Sequence, residues 1–196
     1  MITDLSQLDP NGSYAYSDYL KWRFDERVEL IGGRIYNLTA ASPTLHQRIS
    51  MRITGELYNH FRERTCEVFP APFDVRLPNH DYEPRFNNKV HTVVQPDICV
   101  ICDPAKIDEF GCVGSPDWII EITSPSTHKK DFNEKFDLYE SAGVREYWIA
   151  VPKSAEIYAY TLVGNQYEET AVYEKGSRPT SSLFPDLSLD IDWIFG

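Results

Sequence analysis

The sequence predicts an α/β fold with a mixed β-sheet, and three features carry this prediction. Two runs are rich in β-branched and apolar residues, as expected of buried strands: "TVVQPDICVIC" and "DWIIEIT". Two further runs, "EYWIAVP" and "AEIYAYTL", have the same character. Helical patterns stand between the strand-like runs, from Pro43 to about Phe61 and from about Asp131 to Ala142. Such an alternation is typical of α/β domains.

The remaining elements follow from local signals along the chain. Residues 15–25 are expected to form a short helix. The run "VELIGGRIYNL" predicts two strands joined at Gly32-Gly33, because glycine tolerates the positive φ of a tight hairpin. Ser42-Pro43 is typical of an N-cap and first helical turn, and Gly143 of a helix end.

Length and composition favour one soluble domain over residues 1–196. The chain is 42% hydrophobic and 25% charged, and no window approaches the roughly 20 apolar residues of a membrane span. The N-terminus lacks the basic start and apolar core of an export signal, so we expect a cytoplasmic protein. The four cysteines are irregularly spaced and are predicted to be thiols. Cys99 and Cys102 would point to opposite faces of a strand and cannot chelate one ion together.

The net charge of -11 argues against broad, nonspecific nucleic-acid binding, because that affinity comes from Lys and Arg neutralising phosphates. A local basic face stays compatible with this charge. Two segments are basic, and the ordinary interpretation of both is a solvated face: Arg48, Arg52, Arg62 and Arg64 in one, and Lys129, Lys130 and Lys135 in the other.

Glu121 interrupts an apolar strand and therefore needs a partner. Side chains alternate along a strand, so Glu121 shares a face with Ile119 and Thr123, opposite Trp118 and Ile120. An unpaired buried carboxylate would cost several kcal/mol, which predicts that it is neutral, paired or bound to a metal.

Two residues are candidates for that partner. Asp97 begins another buried-looking strand, and two carboxylates on adjacent strands could share a divalent cation. Lys135 falls within the apolar arc of the predicted helix after Glu121, so it either snorkels along the interface or pairs with an anion. Asp131 and Glu134 fit a capping box and are assigned structural roles.

These residues belong to a longer pattern that resembles a known family. The pattern consists of "PD" at 96–97, "PDWIIEITSPSTHKKDFNEKFDLYESAGVREYWI" at 116–149, "VELIGGRIY" at 28–36 and His46. It is similar to the Uma-two family of putative restriction endonucleases, abundant in cyanobacteria and assigned to the PD-(D/E)XK nuclease superfamily. The resemblance spans about residues 20–165. It implies a restriction-endonuclease-like fold, a central mixed β-sheet flanked by α-helices, that cleaves phosphodiesters with Mg²⁺ or Mn²⁺.

The resemblance also implies roles for individual residues. Asp97 and Glu121 correspond to the two acidic residues of the superfamily pattern, and with the backbone carbonyl of Ile122 they would hold the cation. The lysine of that pattern should stand at position 123, where this chain has Thr123. In related nucleases the following helix supplies the lysine instead, and Lys135 suits that substitution. It would orient the attacking water or stabilise the developing negative charge.

Glu29 and His46 remain open between two interpretations each. Glu29 begins the segment that resembles the family's "ELIDG" run, so it either adds a carboxylate to the site or has a surface or capping role. His46 lies on the inward stripe of its helix, so it is either a core histidine or contacts the groups that surround the metal.

Two functions are consistent with these observations. The first is a metal-dependent nuclease with DNA as its substrate, working as a homodimer like superfamily members that cut both strands. The second is a nuclease-derived module that binds nucleic acid or protein without cutting, which Thr123 and the acidic composition favour. The apolar C-terminal segment "DLSLDIDWIFG" offers surface that a second copy could cover.

Overall fold

The computed structural model describes residues 2–38, 43–77 and 89–196 and confirms the α/β fold. The β-strands of these residues are β1 Val28–Ile31, β2 Arg34–Asn37, β3 Glu67–Pro70, β4 Val75–Arg76, β5 Val93–Val94, β6 Ile98–Ile101, β7 Ile107–Asp108, β8 Gly111–Val113, β9 Trp118–Ile122, β10 Glu146–Val151, β11 Glu156–Val163 and β12 Gln166–Tyr173. The α-helices are α1 Tyr16–Tyr19, α2 Thr44–Phe61, α3 His128–Phe132, α4 Glu134–Ala142 and α5 Ile191–Phe195.

The strands form two mixed sheets of six strands each. The central sheet has the order β12-β11-β10-β9-β6-β3, with β9 and β10 parallel and the other pairs antiparallel. The outer sheet has the order β2-β1-β5-β4-β8-β7, in which β4 and β8 are the parallel pair. The predicted mixed central sheet is confirmed, whereas a separate outer sheet was not predicted.

The run "TVVQPDICVIC" explains that difference, because it is two strands and not one. Strand β5 ends at Val94 and pairs in the outer sheet, while β6 begins at Ile98 and pairs in the central sheet. Pro96 lies between them and has no N–H to donate to a strand ladder. The polar residues of this break, Gln95 and Asp97, are therefore free to make side-chain contacts between the two sheets.

Strand β9 separates two apolar cores, as its alternation predicts. Trp118, Ile120 and Ile122 pack in the core that α2 covers, and Ile119 packs with Tyr139 in the core on the other face. Because β9 lies between β6 and β10, its backbone is hydrogen-bonded on both sides. Glu121 therefore projects from a rigid part of the molecule.

The helices differ from the prediction in detail. The helix expected over residues 15–25 is limited to Tyr16–Tyr19. The helix expected from Asp131 to Ala142 is divided into α3 and α4 at Asn133, whose φ is -128° and ψ -79°. Gly143 ends α4 with φ 82°, as predicted. Helix α2 has the predicted extent, but its proposed N-cap, Ser42, lies outside the described residues.

The prediction that all four cysteines are thiols is wrong. Cys66 and Cys102 form a disulfide, because they stand opposite one another where β3 and β6 pair as antiparallel strands. Cys99 and Cys112 are buried thiols.

The C-terminal segment packs against its own chain. Leu187, Leu189, Ile191 and Ile194 belong to the core beneath α2, and Trp193 is the large apolar residue of α5 that stays exposed. The segment thus buries most of its apolar residues in its own chain and exposes Trp193, and its role in a homodimer stays a prediction. Within the described ranges, no helix has the length and apolar character needed to cross a membrane.

Candidate active site

Asp97, Glu121, Lys135 and His46 all line one cavity of about 420 Å³. The cavity lies among strand β2, the start of α2, the break before β6, the end of β9 and helices α3 and α4. Elements from both sheets and from three helices thus meet at this point. The predicted convergence of Asp97, Glu121 and Lys135 is what the structure shows.

Glu121 is held at both of its oxygens. Its Oε1 accepts hydrogen bonds from Lys135 Nζ at 2.7 Å and from the hydroxyl of Tyr139 at 2.7 Å. Among the described residues, its Oε2 accepts only a long contact of 3.4 Å from the backbone N–H of Asp97. Glu121 is 3% exposed, so these partners stand in place of the water that an exposed carboxylate would bind.

Lys135 is an ion-pair partner and not a snorkelling lysine. Its Nζ lies 2.7 Å from Glu121 and 3.2 Å from Glu29 Oε1, and its side chain is 6% exposed. Burial lowers the lysine pKa, but the charges of Glu121, Glu29 and Asp131 outweigh it and hold the pKa well above the usual value. The ammonium therefore keeps its proton between two carboxylates.

Glu29 is fully buried, so a surface or capping role is excluded. Besides Lys135, it binds Lys130 Nζ through Oε2 at 2.8 Å and accepts the backbone N–H of Gln95 at 3.0 Å. Burial raises its pKa, but Lys135 and Lys130 outweigh that effect and lower the pKa overall. Lys135 is therefore a buried partner of this carboxylate and Lys130 a partly buried one, so these two lysines of the basic segment do not lie on a solvated face.

Asp97 and His46 form a second pair at the cavity. The Oδ2 of Asp97 accepts the backbone N–H of Ile122 at 2.8 Å and lies 3.1 Å from Nε2 of His46. His46 thus contacts a predicted metal ligand and is not a purely apolar core histidine. The contact that Ile122 makes to Asp97 uses its amide, and the metal-binding role of its carbonyl stays a prediction.

Asp131 and Tyr139 belong to this site and were missed by sequence reasoning. Asp131 lies within α3, and the N-cap of α4 is Asn133, so the assignment of Asp131 and Glu134 to a capping box is wrong. Asp131 is instead 3% exposed and lines the cavity. Burial raises the pKa of Asp131, and the charge of Lys135 opposes part of that rise. The signal for both residues was their spacing, since Asp131, Lys135 and Tyr139 recur every four residues and so face one side of a helical segment.

The carboxylates do not all titrate in their ordinary range. Burial raises the pKa of Glu121 to about 8, and the neighbouring charges of Asp97 and Asp131 add to the rise that Lys135 opposes. Glu29 stays ionised because it has two lysine partners. The site therefore combines one carboxylate whose pKa is lowered, Glu29, with one whose pKa is raised, Glu121.

The donor atoms of the cavity fit a hard divalent cation. Within residues 2–38, 43–77 and 89–196, no group of three or more His, Cys, Asp or Glu side chains is arranged to hold a metal ion. Asp97 and Glu121 nevertheless leave two carboxylate oxygens without a short hydrogen bond from those residues, Oδ1 and Oε2. Carboxylate oxygens are the ligands that Mg²⁺ prefers, with water and phosphate oxygens completing its shell.

The His46–Asp97 pair should make stability depend on pH in the metal-free protein. Burial lowers the pKa of His46, but the hydrogen bond and charge of Asp97 outweigh it and raise the pKa. The stabilisation of the fold by protonated His46 is present at a pH below the ordinary histidine pKa of about 6.5. It is lost as the pH rises through the pKa that His46 has in the folded protein. We expect His46→Gln to cost up to about 3 kcal/mol in acid and less in alkaline solution, measured by urea denaturation with a chelator.

His60→Gln is a control of opposite sign. Burial, followed by the charge of Arg64, lowers the pKa of His60. The fold therefore favours neutral His60, and its protonation in acid destabilises the wild type. The loss in free energy of unfolding that His60→Gln causes should thus be smaller in acid than in alkaline solution. A His46→Gln variant whose cost does not change with pH would contradict the proposed ion pair.

Comparisons with known proteins give the family of this chain and a solved structure with a similar fold. Residues 16–192 match the model of the Uma2 family, described as "Putative restriction endonuclease". The uncharacterized protein slr1290 of Synechocystis sp. (strain ATCC 27184 / PCC 6803 / Kazusa) is 28% identical over 146 residues, which are 73% of this chain and 71% of that protein. The crystal structure of a putative nuclease belonging to DUF820 from Anabaena variabilis ATCC 29413 superposes with a TM-score of 0.71 at 20% identity, covering 93% of this chain and 97% of that one.

Proposed function

Because the chain belongs to the Uma2 family of putative restriction endonucleases, we propose that it is a nuclease that hydrolyses phosphodiester bonds in DNA with Mg²⁺ or Mn²⁺. One observation carries the proposal: two carboxylates, Asp97 and Glu121, and the ammonium of Lys135 meet at one cavity, with Lys135 Nζ 2.7 Å from Glu121. The solved structure that this chain resembles supports the fold alone.

Each group of the cavity has a task in this proposal. Asp97 and Glu121 would hold the cation through their oxygens, helped by the carbonyl of Ile122. When bound, the cation would polarise the scissile phosphate and lower the pKa of the attacking water. His46 orients Asp97 through its contact to Oδ2, and the backbone N–H of Ile122 fixes the same oxygen.

The two lysines differ in what they can reach. Lys135 is enclosed between Glu29 and Glu121, so it stabilises the buried carboxylates and supplies positive potential next to them. Lys130 also lines the cavity, and its side chain is 18% exposed. Its Nζ lies 4.7 Å from the ring centre of Tyr36. A phosphate that enters the cavity can therefore contact Lys130 more readily than Lys135.

A binding module without catalysis is the competing function. Thr123 stands where the superfamily pattern has its lysine, and the net charge is -11. Against it stand the buried acids Glu29, Glu121 and Asp131, because an inert core would be more stable with apolar residues at such positions. The acids thus favour the nuclease over the module.

Metal-dependent stability and cleavage test the proposal together. At a Mn²⁺ concentration 100 times its Kd, the protein should gain about 2.7 kcal/mol of stability, which calorimetric melting detects. Asp97→Ala should abolish this gain and also cleavage, assayed on single-stranded, duplex and branched DNA with Mg²⁺ and Mn²⁺.

Asp137→Ala is the matched control, since Asp137 is an exposed aspartate of α4 outside the cavity. It should keep both the Mn²⁺ gain and the cleavage. A full Mn²⁺ gain in Asp97→Ala would contradict the assigned ligands. A Mn²⁺ gain with no cleavage of any of the substrates would favour the binding module.

A further inference from the structure

We propose that Tyr139 is a positioning residue that decides which oxygen of Glu121 binds the cation, and that this oxygen is Oε2. The inference rests on the proposed function, since it concerns the same metal site. It assigns a task to a side chain that does not line the cavity and that touches the site only through Glu121.

The hydrogen bonds of Glu121 divide its two oxygens into different roles. Oε1 accepts from Lys135 and from Tyr139, each at 2.7 Å. A carboxylate oxygen has two lone-pair sites, so two short donors occupy both. Oε2 has only the 3.4 Å contact from the backbone of Asp97, the residue that supplies the other carboxylate. Oε2 is therefore the oxygen available to a cation, because it accepts no short hydrogen bond from the described residues and because it lies next to Asp97.

Tyr139 can hold this orientation because its ring is buried and closely packed. It is fully buried in α4, and its ring packs edge-on against Tyr147 with ring centres 5.1 Å apart. Its hydroxyl stands at the end of a rigid ring with two rotatable bonds. Since β9 is fixed on both sides, the torsions of the Glu121 side chain are the remaining freedom, and the Tyr139 hydroxyl removes it.

Lys135 alone cannot perform this task. Its ammonium sits on a flexible four-carbon stem with three rotatable donors, so it can follow a carboxylate that turns. It also binds Glu29 Oε1 at 3.2 Å, which provides an alternative partner when Glu121 moves. Without the Tyr139 hydroxyl, the plane of the Glu121 carboxylate could therefore turn with Lys135, and no oxygen would be held toward the cation.

The test compares two substitutions that each remove one tyrosine hydroxyl. Tyr139→Phe removes the donor to Glu121, whereas Tyr167→Phe removes a donor to the backbone carbonyl of Val144 at 2.9 Å, away from the cavity. Mn²⁺ affinity is measured by titration calorimetry, and folding by the melting temperature of the metal-free protein. We expect Tyr139→Phe to weaken Mn²⁺ binding by about tenfold or more, the range for partners that orient metal ligands. Tyr167→Phe should change Mn²⁺ affinity by less than about twofold, because its hydroxyl touches none of the described residues of the cavity.

The outcomes separate this inference from the proposed function. If the wild type binds Mn²⁺ and the two variants bind it equally, Tyr139 is merely structural and the inference fails. If the wild type binds no Mn²⁺, the proposed function fails and the inference with it.

A crystal structure with Mn²⁺ gives a direct check that needs no variant. The anomalous peak should lie next to Oε2, with Oε1 keeping both donors. A cation bound to the Glu121 oxygen that accepts from Lys135 and Tyr139 would overturn the inference while leaving the proposed function intact.

Discussion

Replacing Lys135 with methionine should destabilise the protein by roughly 3–5 kcal/mol and lower the rate of cleavage by roughly two orders of magnitude. The ammonium lies between Glu29 and Glu121, both buried, so its removal leaves two carboxylates without their shared partner. Sequence reasoning alone predicts little loss of packing, because methionine resembles the lysine stem. The structure changes that expectation, since the charge and not the stem is what the surroundings require. Urea denaturation and cleavage with saturating Mn²⁺ measure the two effects.

A second substitution separates the loss of folding from the loss of chemistry. In Lys135→Met with Glu29→Gln, one of the two carboxylates that lost Lys135 is replaced by a neutral amide, so stability should partly return while cleavage stays low. Lys129→Met is the matched control, since Lys129 is exposed on α3 and its loss should stay within about 0.5 kcal/mol. Unchanged cleavage in Lys135→Met would show that another group completes the site.

Replacing Glu146 with alanine should cost roughly 3–5 kcal/mol without affecting the candidate active site. Glu146 is fully buried on β10 and accepts four hydrogen bonds, from Trp148 Nε1 at 2.7 Å, the Ser181 hydroxyl at 2.6 Å, and the backbone N–H groups of Ser182 and Leu183, both at 3.1 Å. Burial raises its pKa, while these donors oppose the rise. The carboxylate thereby fixes the turn that leads into the C-terminal segment, and alanine would leave its donors unpaired.

Thermal melting measures this cost, which corresponds to a fall in Tm of roughly 6–20 °C for a chain of this size. Glu146→Gln keeps one acceptor oxygen and should lose less. Glu168→Ala removes an exposed glutamate of β12 and should change stability by no more than about 0.5 kcal/mol. Since Glu146 does not line the cavity, folded Glu146→Ala should keep the Mn²⁺ affinity of the wild type. A Tm within 2 °C or so of the wild type would contradict the assigned role.

Local patterns in the sequence determined the elements and the two central acids. The alternation of "DWIIEIT" placed Glu121 and Ile119 on one face of β9, Gly32-Gly33 placed the hairpin, and Gly143 placed the end of α4. These predictions succeed because each depends on the chemistry of neighbouring residues: side-chain alternation in a strand and the tolerance of glycine for positive φ. The adjacency of Asp97 and Glu121 also follows, once two buried strands are expected to pair.

Tertiary structure alone decided the partners. Periodicity shows that Glu29, Lys130 or Asp131 faces inward or outward, but not which element lies on the other side. The Lys130–Glu29 pair spans 101 positions of sequence, and the disulfide of Cys66 and Cys102 spans 36. The division of "TVVQPDICVIC" between two sheets likewise depends on the strands that flank it. Such contacts arise from packing between distant segments, whose relative placement minimises unpaired buried charge and hydrogen-bonding groups, and no local pattern encodes that placement.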